Sequence, residues 1–148
     1  MKRLVGALLG CALSCAVAGA AIGGPRGSAA IEANGIDGRW AVTCHKPADT
    51  GNPYLVFEPV AGGPPRQRVV APPAEDSVVE LLEAEKLKSG EMSWIVPQGE
   101  VMHTVLSRLE GNRMRVWSVV TSDGLSLVTK GVREDGTATP WLNKCETN

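Results

Sequence analysis

His45 and His103 are the only two histidines in the chain, and they bound the acid–base and metal chemistry open to it. His45 follows Cys44 and precedes Lys46-Pro47, which predicts a solvent position at a strand end. His103 alternates with Val105 and Leu109, which predicts partial burial. A metal site needs several converging ligands, and two distant histidines without a cysteine cluster predict none. No cofactor is expected either, since neither a Walker loop nor a Gly-x-Gly-x-x-Gly fingerprint occurs. A small periplasmic hydrolase would have to use His103 or His45 with a nearby carboxylate. It would lack the Gly-x-Ser-x-Gly elbow that marks one class of activated serine.

Asp49-Thr50-Gly51 matches the short tripeptide of aspartic proteases, but it occurs once and follows Lys46-Pro47-Ala48. Those enzymes need two carboxylates sharing a proton, so a turn is the expected use of these residues. Glu75-Asp76 and Glu134-Asp135 read as turn or helix-start residues in water.

The four cysteines divide by position. Met1-Lys2-Arg3 is a basic start, Leu4 to Ala20 carries no charge, and Ala18-Gly19-Ala20 ends the run with small residues. This three-part pattern predicts a secretory signal peptide over residues 1–20, hence a periplasmic or secreted protein. Cleavage would remove Cys11 and Cys15. A membrane anchor is the competing use of Leu4–Ala20, but the run is slightly short and rich in Gly and Ala. Lipid attachment at Cys11 or Cys15 is the third, and would tether the chain instead. Cys44 and Cys145 remain near the two ends of the mature chain. A disulfide between them is the simplest use of two exported cysteines.

The formal net charge is −1 and no Lys/Arg-rich run exists, so nucleic acid is not an expected partner. No second long apolar segment follows Ala20, so no stable membrane span is expected after cleavage.

Residues 21–35 are dominated by Ala, Gly, Pro and Ser and predict a flexible tether. A single β domain over 36–148 follows, opening at Ile36-Asp37-Gly38-Arg39-Trp40. His103, Val105, Ser107 and Leu109 share one face of a strand. Gly111-Asn112 turns the chain. Met114, Val116, Ser118 and Val120 then oppose Arg113, Arg115, Trp117, Val119 and Thr121. Further turns at Ser122-Asp123-Gly124 and Glu134-Asp135-Gly136 continue the pattern toward a last strand ending at Cys145. Alternation at period two, broken by Gly-containing turns, predicts an antiparallel meander. Arg39–Cys44, Tyr54–Glu58, Gln67–Val70 and Met92–Val96 read as further strands. If Cys44 and Cys145 pair, the first and last strands are neighbours, and the meander curls into a small barrel or a strongly curled sheet. Ser77-Val78-Val79-Glu80 fits a capping box, and Glu80–Lys88 is rich in helix formers, which predicts one short helix over 77–88, with a strand, favoured by Val78-Val79, as the competing reading. The expected fold is therefore mainly β with one helix. Small exported barrel domains, including lipocalin-like ones and several periplasmic inhibitors, share this general form, which does not fix a function.

The four tryptophans are many for a domain with one Tyr and one Phe. Trp40 shares a strand face with Val42 and Cys44 and is expected in the core. Trp117 lies opposite the face of Met114 and Val116. With Arg108, Arg115 and Lys130 it could form an exposed aromatic and basic patch, the side-chain types that anchor binding surfaces; the favoured alternative places Trp117 in a second core face covered by the helix. The functional expectation is an exported non-catalytic binding module. It would hold a small apolar ligand in a barrel interior, or dock a protein partner such as an enzyme to be inhibited.

Overall fold

A computed structural model describes residues 24–146; the expected signal peptide, with Cys11 and Cys15, lies outside them. The described residues form eleven strands and one short helix. Helix α1 spans Ser28–Ala33, and strands β1 to β4 span Gly38–Ala41, Tyr54–Glu58, Arg66–Val70 and Ser77–Glu80. Strands β5 to β8 span Leu82–Lys86, Met92–Gln98, Val101–Glu110 and Arg113–Thr121. Strands β9 to β11 span Ser126–Thr129, Val132–Arg133 and Leu142–Cys145.

All pairings between these strands are antiparallel, in the order β4-β3-β2-β1-β11-β8-β7-β6-β5. The two strands at the ends of that order are consecutive in sequence. The chain leaves β4 at Glu80 and enters β5 at Leu82, so one bent segment pairs with β3 along its first half and with β6 along its second. The sheet is thus nearly closed into a barrel, which leaves little unpaired edge. Leu81 occupies the bend, is 0% exposed, and donates its N–H to the Pro65 carbonyl at 2.8 Å. Glu83 takes a positive φ of 51° where the register between β5 and β6 shifts.

This segment corrects the expected helix over 77–88. Glu80 to Lys88 has helical propensity, but propensity is a weak prior that tertiary pairing overrides. Here Ser77 to Glu80 find cross-strand partners in Val69 to Arg66. The one helix lies instead in the expected tether. In α1, Ala30 and Ile31 are 0% exposed, and the Gly27 N–H reaches the Ala84 carbonyl at 2.7 Å. Ser28 Oγ accepts the Val60 N–H at 2.8 Å and donates to the Gly63 carbonyl at 2.9 Å. Residues 27–33 therefore belong to the folded body.

Cys44 and Cys145 form a disulfide across a sequence separation of 101. Closing a loop of this length contributes about 4–5 kcal/mol in the chain-entropy model. It fastens the segment after β1 to the end of β11, strands already paired through Arg39 and Cys145. The bond is compatible with an oxidising compartment. Among the described residues, no helix is long and apolar enough to cross a membrane.

A β-bulge corrects the expected alternation of β8. The register against β7 shifts between Leu106 and Ser107, so Ser107 pairs with Val116 but Leu106 pairs with Ser118. An extra residue in one strand transfers the following side chains to the other face. Met114 is buried and Val116 half-buried, as the first half of the pattern predicts, but beyond the bulge Thr121 is buried and Val120 is 36% exposed.

Candidate functional site

The inward face of β6 carries Met92, Trp94, Val96 and Gln98, and their exposure rises along the strand. Met92 is 0% exposed, Trp94 3% and Val96 8%, while Gln98 is open to solvent. Their partners on β7 are Ser107, Val105, His103 and Val101. The barrel therefore has a filled end at Met92 and a mouth near the β6–β7 turn.

Different residues fill the closed end. Ile31 of α1, Ile36, Trp40, Leu81, Ala84 and Met92 are all at most 1% exposed. The Trp40 indole N–H is satisfied by the Ile36 carbonyl at 2.7 Å, so the ring is buried without an orphaned donor.

Toward the mouth the interior is not filled. A cavity of about 220 Å³ lies there, with Leu55, Phe57, Trp94, Val96, Val105 and Val116 among its walls. Phe57 and Trp94 meet edge to face, with centroids 5.5 Å apart at an interplanar angle of 62°, so the two largest wall groups support each other. The polar lining side chains are Gln67, Gln98, His103 and Ser107; among the described residues no Asp, Glu, Lys or Arg lines the cavity. Gln98 is exposed and His103 half-buried, whereas Ser107 is 0% exposed and its Oγ has no hydrogen-bond partner. A hollow with apolar walls and a few polar groups is the usual form of a small-molecule site.

Sequence reasoning placed Ser107 on one face with His103 and Val105 but gave it no role. The usable signal was a small hydroxyl on a face otherwise turned inward.

The structure brings His103 to this cavity, facing Thr121 across the strand pair. The Thr121 hydroxyl donates to Asp123, and this bond is the main cause that holds the Asp123 carboxyl below its ordinary range. The His103 charge contributes a smaller lowering. Ser107 and His103 lie four residues apart on β7, about 13 Å along an extended strand, too far for the nucleophile–base hydrogen bond that covalent catalysis needs. His45 is exposed beside the disulfide, in a shallow groove with Arg39 and Glu146. Asp49 Oδ1 accepts the Gly51 and Asn52 N–H groups at 2.8 and 2.7 Å, which makes Asp49-Thr50-Gly51 a turn. Among the described residues, no three His, Cys, Asp or Glu side chains group as a metal site requires.

Of the residues expected to form an outer patch, Trp117, Arg108 and Arg115 are engaged with one another, with neighbouring side chains or with the backbone. Trp117 is half-buried on β8. The Arg108 guanidinium lies 3.5 Å from the centre of its ring and also donates to Glu91 Oε1 at 3.2 Å. The Ser89 hydroxyl and then this Arg108 contact help hold the Glu91 carboxyl below its ordinary range. Arg115 reaches the Gly131 carbonyl at 2.6 Å and Thr139 Oγ1 at 3.0 Å, and is 5.9 Å from the Trp117 ring. A Cβ at Gly131, whose φ is +76°, would come within 2.8 Å of that guanidinium, so glycine is needed there. Lys130 lies exposed on the β9–β10 turn, with no contact to the Trp117 ring among the described residues. Trp141 joins the row instead, under Arg113 at 4.9 Å and Arg115 at 5.8 Å.

No protein-family model matches this chain, and no curated protein or solved structure does either.

Proposed function

We propose that the chain is an exported, non-catalytic binding module that holds a small apolar ligand inside the barrel. The cavity of about 220 Å³ behind the mouth carries this reading. An engineered apolar cavity of about 150 Å³ takes up benzene, so this space suffices for a small molecule. The lining residues come from β2, β3, β6, β7, β8 and β11, strands held by their neighbours in one sheet, so the walls are built before a ligand arrives. Preorganisation of this kind lowers the ordering cost of binding.

The hydrolase alternative, His103 or His45 with a carboxylate, has less support: among the described residues no Asp or Glu lines the cavity beside His103, and His45 is exposed in its groove with Glu146. Protein docking through Trp117 is weakened for a different reason. Arg108 Nε is bonded to Glu91, and two Arg115 nitrogens are bonded to Thr139 and the Gly131 carbonyl, which leaves a partner fewer donors there.

Calorimetric titration with ethylbenzene tests the proposal. Saturable binding to the wild type, lost in a folded Val105→Phe variant that fills the cavity, is the expected result. Binding unchanged by Val105→Phe would place the ligand elsewhere.

A further inference from the structure

We infer that the cavity selects a neutral ligand of about nine non-hydrogen atoms carrying one hydroxyl or carbonyl group, which enters polar end first and bonds Ser107 Oγ. This rests on the interior site proposed above and names its ligand class. The size follows by proportion: about 150 Å³ holds the six carbons of benzene, and this cavity is about 220 Å³.

The polarity follows from Ser107. Its side chain lines the cavity but is 0% exposed, and among the described residues its Oγ has no hydrogen-bond partner, so a ligand oxygen reaches it as the side chains around it give way. A buried hydroxyl left unpaired is costly, and buried polar groups are almost always bonded. Serine has one O–H to donate and two lone pairs to accept with, so a hydroxyl or a carbonyl on the ligand satisfies it.

Neutrality follows from the rest of the lining. Among the described residues no Asp, Glu, Lys or Arg faces the cavity, and His103, its one titratable group, stands at the mouth, so an ion taken to the deep end would lose its hydration without a counter-charge beside it. The depth of the contact follows from register. Ser107 pairs with Met92 at the filled end, so its hydroxyl stands at the floor, while His103 and Gln98 stand at the mouth.

Three probes of similar size test this on the purified protein: 4-ethylphenol, ethylbenzene and 4-methylbenzoate. The wild type is expected to bind the phenol and the hydrocarbon, and to show no measurable affinity for the carboxylate. Ser107→Ala is expected to shift the affinity ratio of phenol to hydrocarbon about tenfold toward the hydrocarbon, because the phenol hydroxyl is then unpaired. The melting temperature of unliganded Ser107→Ala should equal or exceed that of the wild type. A lower one would mean that Oγ already has a partner, which overturns the inference. So would a ratio unchanged by Ser107→Ala, or carboxylate binding as tight as phenol binding. In those cases binding of ethylbenzene blocked by Val105→Phe would leave the interior site standing. Failure of all three probes to bind would overturn both.

Discussion

The two ends of this barrel are built from the same alternating strands and reach opposite outcomes. At one end Ile31, Ile36, Leu81 and Met92 are 0% exposed and Trp40 1%. At the other, Val96 and Val105 are 8% exposed and stand around a cavity. The sheet alone does not make the difference. The closed end receives material from outside the strands: Ala30 and Ile31 of α1, Ile36 of the following loop, and the bend residue Leu81. The mouth has only Gln98, His103 and the β6–β7 turn. The close-packed side chains are concentrated where the barrel is plugged, and the open end keeps unfilled space.

Substitutions can break or sharpen that contrast. The largest effect is expected at the plug. Trp40→Ala removes a fully buried indole and its bond to Ile36, and should lower stability by about 3–5 kcal/mol in urea unfolding. A loss below about 1 kcal/mol would mean that this end is not close-packed.

A matched pair of enlargements probes the sign. Ala84→Leu forces extra carbons into a site that is 0% exposed, and should destabilise by about 1–3 kcal/mol. Val105→Leu adds a carbon beside existing space, and should leave stability unchanged or raise it by up to about 1 kcal/mol. Equal losses in the two variants would erase the distinction between the ends.

The smallest effect is expected at Ser77. It is exposed and pairs with Val69 in β4, with no helix to cap. Ser77→Ala should stay within about 0.5 kcal/mol of the wild type. A loss near 1 kcal/mol would restore the helix that the sequence pattern favours.

The meander was the legible part of the fold, because alternation from Met92 to Thr129 and the turns at Gly111 and Gly124 are local signals. The partnership of the first and last strands was legible through Cys44 and Cys145. Three features were not. α1 is six residues long, with Ile31 as its one large apolar side chain, so it carries no periodicity to read. The segment from Ser77 to Lys86 is extended because β3 and β6 pair with it, and neither partner shows in its own residues. The bulge in β8 depends on registry with β7, so a strict period of two misassigned Val120. The same limit governed the site. His103 was singled out for its chemistry, whereas Ser107 gains meaning only once its neighbours are seen to leave its hydroxyl buried and unpaired.

The hollow end as a ligand site is tested most directly by locating a bound probe. In NMR spectra of the methyl-labelled protein titrated with 4-ethylphenol, saturable shifts and intermolecular NOEs are expected at the methyls of Leu55, Val96, Val105 and Val116. The methyls of Ile31 and Leu81 should be untouched. Contacts confined to the Trp117 and Trp141 rings on the outer face, or none at the cavity methyls up to the solubility of the probe, would contradict the account.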